Sequence, residues 1–221
     1  MSDLATPQAH DWERFWDRSE SRRFQKVSWS KKRILNVLAP YAGAGRSALD
    51  AGCGSGFFSR YFCERGMRTV SVDHSESALK MTESLTQGRA KVIKADLVSE
   101  NSLREYSGQF DLIFSDGLLE HFSRAHQDII MGNLLSVLSG VGVIVTFVPN
   151  RWSPWEIIRP LFMPGIDERP FVLNELINLN VRNESKVIRS GGVNTLPFAV
   201  SPEGKCARYF GMLLFTIAQK E

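Results

Sequence analysis

Cysteine is scarce in this 221-residue chain: Cys53, Cys63 and Cys206 are the three present, and no two of them form a CxxC pair. An odd, scattered set of thiols argues against a disulfide framework, gives no metal-ligand spacing, and favours a reducing compartment. Neither a bound metal nor a disulfide is expected. Long apolar runs are missing too. The best candidate, Val141 to Val148, is eight residues long and stops at Pro149, whereas a membrane-spanning helix needs about 20. The opening MSDLATPQAHDWERFW lacks an apolar stretch behind a basic start, so no secretory leader is expected and a cytoplasmic location follows. Net charge is small as well, +3, which by itself does not point to nucleic acid. The excess is N-terminal, with nine Lys/Arg against five acids in residues 1 to 46. Repeats and low-complexity linkers are absent. With 43% apolar and 23% charged residues, the chain lies far from the signature of disorder and suits one domain over residues 1–221.

What is present is an alternation of two periodicities. Apolar residues recur at helical spacing from Trp12 to Leu38, predicting two helices, the second capped by Ser28 or Ser30. Pro40, Gly43 and Gly45 turn the chain into a short strand, Ser47 to Asp50. Beyond it the pattern predicts a helix over Phe57–Arg65, a strand over Thr69–Val72 closed by Asp73, and a helix over 75–87. Strands Ala90–Lys94 and Phe110–Phe114 follow, then a helix Ile129–Leu138 stopped near Gly140 and a strand Val141–Val148. Nearly continuous apolar strands alternating with helices imply an α/β fold with a mostly parallel sheet covered on both faces. After Pro149 the rhythm breaks into RWSPWEIIRPLFMPGIDERPF, where weak secondary structure is expected. A helix Val172–Leu179, a strand Arg182–Arg189, a loop Ser190–Lys205 and a strand Gly211–Ala218 complete the chain, the last two strands as an antiparallel pair at a sheet edge.

The segment Leu49-Asp50-Ala51-Gly52-Cys53-Gly54-Ser55-Gly56 places three alternate glycines between a strand and a helix. Glycine permits tight turning and lets a ligand approach backbone, and the helix amino end favours negative charge. The spacing is GxGxG rather than the GxGxxG of dinucleotide sites. Acids close the next two strands, Asp73 and Asp96. An ionised Asp accepts without donating, so at a strand end, where open α/β sheets bind ligands, it suits a pair of hydroxyls.

On these residues, together with VSVD, KADL and FDLIFSDGLLEHF, the chain resembles the class I methyltransferases, which use S-adenosylmethionine, and within them the small-molecule and ubiquinone-biosynthesis type. The resemblance implies a doubly wound, Rossmann-like, seven-stranded sheet, mostly parallel, with the last strand antiparallel. It implies that Asp50 holds the cofactor's methionine end, that Gly52, Gly54 and Gly56 form the close-contact turn, and that Asp73 accepts the ribose hydroxyls. Asp96 and Leu97 fall on the adenine side, with Cys53, His74 and Ser115 completing the cofactor contacts. A change at Asp73, a strand-end position, is expected to spare the fold.

The acceptor side is less legible. His121 is a candidate general base, since an imidazole titrates near neutrality, and a helix-start histidine with a bonded ring is the competing explanation. SDGL stands where amide and exocyclic-amine methyltransferases carry NPPY or DPPY. Residues 10–39 and the insertion 149–171 are expected to cover the substrate, through Trp12, Phe15, Trp16, Trp152, Trp155, Phe162 and Phe171. Arg151, Arg159 and Arg169 suit either an acceptor anion or pairing with Glu156, Asp167 and Glu168. The function expected is methyl transfer to N or O of a small or medium-sized organic molecule. The alternatives are an RNA or protein methyltransferase, to which the N-terminal basic excess gives weak support, and a cofactor-binding protein without transferase activity.

Overall fold

The computed structural model describes residues 9–162 and 168–221. Strands β1 (Ser47–Ala51), β2 (Arg68–Asp73), β3 (Lys91–Lys94), β4 (Phe110–Asp116), β5 (Leu138–Pro149), β6 (Ser185–Val193) and β7 (Leu213–Lys220) form one sheet. Their order is β3-β2-β1-β4-β5-β7-β6. The first five pair in parallel, and β7 runs antiparallel to both β5 and β6. The expected mostly parallel, seven-stranded sheet with an antiparallel last strand is what forms. The late strand pair occupies one edge, with the later strand on the inside.

Helices α1 (Ala9–Asp17), α2 (Trp29–Leu38), α3 (Phe57–Glu64), α4 (Glu76–Thr86), α5 (Arg124–Val137), α6 (Trp155–Phe162), α7 (Leu173–Arg182) and α8 (Lys205–Phe210) complete the described elements. Strand alternation decides which helices meet which face. On β4, Leu112 and Phe114 join a core with Ile34 and Leu38 of α2 and Phe58 and Phe62 of α3. Ile113 points the other way, into a core with Ile130 and Leu134 of α5 and Leu176 and Leu179 of α7. Both faces are therefore covered, which is why the central strands carry apolar side chains on both faces. Among the described residues no helix is long and apolar enough to cross a membrane.

The strand expected over Arg182–Arg189 forms instead as β6 over Ser185–Val193, with Arg182 ending α7, and three further boundaries differ from expectation for local reasons. Helix α5 begins at Arg124 because the Ser123 hydroxyl accepts the His126 N–H, and it runs directly into β5, so Gly140 lies inside a strand and stops nothing. The segment after Pro149 is helical from Trp155, whose N–H donates to the Ser153 hydroxyl at 3.2 Å. Helix α8 occupies the end of the expected Ser190–Lys205 loop and continues to Phe210. Ser28, rather than Ser30, caps α2 through the Lys31 N–H.

Candidate functional site

The carboxyl ends of β1, β2 and β4 converge on the glycine loop. Gly52, Gly54 and Gly56 all have positive φ, +71°, +48° and +77°. Their tasks differ. A Cβ on Gly54 would lie 2.5 Å from the Trp16 ring, so this glycine admits the helix above the loop. A Cβ on Gly56 would lie 2.6 Å from the Thr82 backbone, so that glycine serves the packing of α3 against α4. The Gly52 and Cys53 N–H groups donate to Val72 O at 2.8 and 3.0 Å, which ties the loop to β2.

Asp73 fixes the loop from the side. Its Oδ2 accepts the Gly54 N–H and its Oδ1 the Ser75 N–H, each at 3.0 Å, and the residue is 7% exposed. Strand end though it is, Asp73 is buried, so a change there is expected to cost stability. Burial pushes its carboxyl above the ordinary range, against the pull of those two N–H groups. Asp50 is buried as well. Its Oδ2 accepts the Ser59 hydroxyl at 2.5 Å, and burial carries its carboxyl to about 7, the Ser59 bonds opposing.

Two cavities open on this framework. The smaller, about 70 Å³, is lined by Asp73, His74, Ala95, Asp96 and Leu97 on one side and by Leu118 and Phe122 on the other. His74 Nε2 is buried there without a hydrogen-bond partner among the described residues. Asp96 is exposed at the mouth, its oxygens accepting the Val98 N–H at 3.1 Å and the Ser99 hydroxyl at 3.4 Å. The larger cavity, about 360 Å³, is walled by Asp50, Cys53, Gly54, Asp116, Glu120 and Glu168 together with Phe24, Phe58, Phe114 and Trp155. Trp12, Trp16, Gly52, Gly117 and His121 line both. Ser115 is fully buried and lines neither. The Cys53 thiol is buried and accepts the Thr82 hydroxyl at 3.4 Å.

The N-terminal segment forms the roof. Glu13 on α1 accepts the Ser75 hydroxyl at 2.7 Å, the Ser77 hydroxyl at 2.6 Å and the Ser77 N–H at 3.1 Å, latching α1 onto the amino end of α4. Burial acts to raise the Glu13 carboxyl, but the serine hydrogen bonds outweigh it and hold the group low. Ser55 donates to Phe24 O at 3.0 Å, and Gln25 reaches Ser55 O at 3.4 Å, fixing the turn before α2 over the loop. Trp12 meets the His121 ring edge to face at 4.7 Å. Of the tryptophans expected to cover the substrate, Trp12, Trp16 and Trp155 line the larger cavity. Trp152 is 66% exposed in the turn after β5 and lines neither cavity, its N–H donating to Asn150 Oδ1. Phe171 is buried in the core beside α7, and the Phe162 side chain lies outside the described residues, as do Met163, Pro164 and Asp167.

The larger cavity is acidic to a degree the sequence did not suggest. Asp116 is carried to about 6 by desolvation, with Lys31 opposing. Lys31 in turn is lowered to about 8 by burial, while it donates to Phe24 O and to Lys26 O. Desolvation raises Glu168 to about 7 and Glu120 well above the carboxylate range, the neighbouring Glu168 adding to the latter. Arg159 pairs with Glu156 at 3.3 Å and Glu168 at 3.5 Å, while Arg151 goes to Glu175 at 2.9 Å and Arg169 lies 4.0 Å from the same residue. Glu120, His121 and Glu168 place one ligand atom each within 4.8 Å of one another, a spacing that a divalent ion could use although no metal was expected. Glu13, Lys31, Asp116, Glu120 and Glu168 were not singled out as site residues. Only Asp116 and Glu120 carried a signal, as neighbours of His121 after β4.

Residues 48–142 match the model of a family described as "Methyltransferase domain". The chain is 31% identical over 115 residues to a ubiquinone biosynthesis O-methyltransferase of Thiobacillus denitrificans, covering 51% of this chain and 47% of that protein. It is 28% identical over 128 residues to phosphoethanolamine N-methyltransferase 1 of Arabidopsis thaliana, covering 57% and 25%. The match thus spans about half the length of the first relative and a quarter of the second. Among solved structures, a SAM-dependent methyltransferase from Anabaena variabilis superposes with a TM-score of 0.73 at 13% identity, covering 100% of this chain and 98% of that one, which establishes the shared fold.

Proposed function

We propose that this chain, which carries a class I S-adenosylmethionine-dependent methyltransferase domain, transfers the methyl group of that cofactor to an N or O atom of a small or medium-sized organic acceptor. The observation that carries this reading is the junction of the cavities. A narrow one at acidic strand ends and a wide aromatic one meet at Trp12, Trp16, Gly52, Gly117 and His121. Such a shape holds a nucleoside on one side and a second organic molecule on the other, and about 360 Å³ falls in the range of small-ligand pockets.

The residues fit the cofactor chemically. Asp73 offers carboxylate oxygens to ribose hydroxyls beside the unpartnered His74 Nε2. Asp96 and Leu97 flank the adenine end of the narrow cavity. Buried Asp50 supplies a negative charge for the amino group of the methionine end, above the turn of Gly52, Cys53, Gly54 and Gly56. When bound, the cofactor supplies an electrophilic methyl on a sulfonium. Trp12, Trp16 and Trp155 exclude water and hold the acceptor in line, so that proximity supplies much of the rate. His121, at the junction, takes the proton when the attacking atom carries one. Segments 10–39 and 149–171 serve as substrate cover in a single domain, and the working location is the cytoplasm. The names of the two relatives support both acceptor atoms, oxygen in one and nitrogen in the other.

Calorimetric titration with S-adenosylhomocysteine is the test, followed by mass spectrometry of cell metabolites incubated with methyl-labelled cofactor. Binding and a labelled small molecule are expected, with no response to NAD. A folded protein giving neither heat nor thermal shift at millimolar ligand would remove the proposal.

A further inference from the structure

We infer that the methyl acceptor is an organic amine that docks as its ammonium ion against Glu120, an inference that rests on the methyl-transfer reading above. Glu120 lies in the single turn Leu119–His121 after β4, is 2% exposed, and lines the larger cavity. Its Oε2 is buried with no hydrogen-bond partner among the described residues, and His121 Nε2 stands 3.9 Å from its Oε1. Four carboxylates, Asp50, Asp116, Glu120 and Glu168, line this cavity against two full cations, Lys31 and Arg159. Both cations are drawn to other acids of the wall. Lys31 acts on Asp116 and donates to two carbonyls, and Arg159 is divided between Glu156 and Glu168.

In the empty site burial holds Glu120 toward its neutral acid, and a guest that brings a positive charge lets it ionise, so the wall favours a cation. An acceptor carrying carboxylate or phosphate would add to the excess of negative charge. An alcohol would fill the hydrogen bond and leave the charge unmatched. An ammonium satisfies both, and the aromatic faces of Trp12, Trp155 and Phe114 suit a cation with an apolar body. A divalent ion on Glu120, His121 and Glu168 is the competing cation. The organic guest is favoured because the acids open onto an aromatic-walled space of about 360 Å³, far more than an ion fills.

The reaction then balances. The ammonium, held against Glu120, passes one N–H proton to His121, and the freed lone pair forms the N–CH3 bond. The S–CH3 bond of the donor breaks with its electron pair left on sulfur. His121 retains the proton until the site opens to water.

The test titrates the full chain, saturated with S-adenosylhomocysteine, with three probes of matched shape: phenethylamine, phenethyl alcohol and phenylacetate. Each is run with EDTA and again with Mg²⁺. The amine is expected to bind at least about tenfold tighter than the alcohol, with phenylacetate weakest. Glu120→Gln should lower amine affinity about tenfold or more and move the alcohol less than about twofold. Because the wild-type amine-to-alcohol ratio needs no variant, a misfolded Glu120→Gln protein does not obscure the result. Equal or tighter binding of the alcohol or phenylacetate overturns the inference, as does saturation by none of the probes at millimolar concentration. An amine preference that survives Glu120→Gln also overturns it. So does a preference that appears only with Mg²⁺, which would assign the acids to a metal. Failure of S-adenosylhomocysteine itself to bind removes the methyl-transfer reading, whereas normal cofactor binding without amine preference removes this inference alone.

Discussion

Replacing Asp73 by Ala separates two tasks, the loop contacts that the structure shows and the ribose binding proposed for this carboxylate. In the protein alone it accepts the Gly54 and Ser75 N–H groups, each at 3.0 Å, in a position 7% exposed. Truncation orphans both donors, at about 1–3 kcal/mol each where water cannot reach them. Against this, Ala relieves the desolvation of a carboxylate whose burial raises its pKa. A net loss of about 1–3 kcal/mol is expected, or roughly 3–10 °C in Tm for a chain of this size. The second task appears on binding, where the charged acceptor for two ribose hydroxyls is worth about 1.5–3 kcal/mol, roughly tenfold to hundredfold in affinity. Asp73→Asn keeps one side-chain oxygen for the loop and loses the charge. It should therefore recover part of the stability and little of the affinity. Urea unfolding and calorimetry with S-adenosylhomocysteine on the same preparations measure both quantities. Destabilisation with an unchanged Kd in both variants would refute the ribose assignment and leave Asp73 as a strut of the loop. Unchanged stability in Asp73→Ala would refute the account of the buried N–H groups.

Glu13→Ala removes the three hydrogen bonds that latch α1 to α4; cofactor affinity should fall about threefold to tenfold with little change in the unfolding midpoint, and an unchanged dissociation rate by stopped flow would count against a latch. Trp155→Ala opens the wall of the larger cavity; kcat/KM for the acceptor should drop about tenfold while cofactor affinity stays within about threefold, and parallel loss of both with lowered stability would show a packing role instead. The carboxyls of Asp50 and Asp116 are raised to about 7 and about 6 in the folded chain. The folded state therefore holds protons that the unfolded state has released, and their contribution to stability, full below the unfolded carboxylate pKa, is lost as pH rises through about 6 to 7. Thermal unfolding of the ligand-free protein should accordingly show Tm lower at about pH 8 than at about pH 5, by about 5 °C or more. S-adenosylmethionine, which places a cation near Asp50, should narrow that difference; a flat profile would mean that these carboxyls are solvated.

Several boundaries moved because side chains beyond the local apolar pattern set them. The periodicity around Ile129 marks the buried face of α5, but its start belongs to the Ser123 hydroxyl, a capping contact that periodicity does not register. Weak structure was expected after Pro149 because four further prolines, Pro154, Pro160, Pro164 and Pro170, crowd the segment. Helix α6 forms there because Pro154 precedes its first turn, where a missing N–H costs nothing. Trp152 and Trp155 look alike in the sequence, three residues apart. One faces solvent from a turn and the other lines the cavity from a helix.

The sequence by itself determined the architecture and marked the glycine turn and the strand-end acids of the candidate site. Alternating apolar strands and helices require a sheet covered on both faces, and a glycine turn followed by strand-end acids is a local pattern, complete within about fifty residues, from Asp50 to Asp96. Only the tertiary structure decided the larger cavity. Lys31, Asp116, Glu120 and Glu168 come from α2, the end of β4, the turn after it and the approach to α7; in sequence Lys31 and Glu168 read as ordinary surface charges, and Asp116 and Glu120 stand out only as neighbours of His121. Folding brings them into one desolvated cavity, where low solvent access turns four unremarkable side chains into a single electrostatic unit. Burial and proximity across the fold are what give them chemistry, and neither is a property of any stretch of the chain read alone.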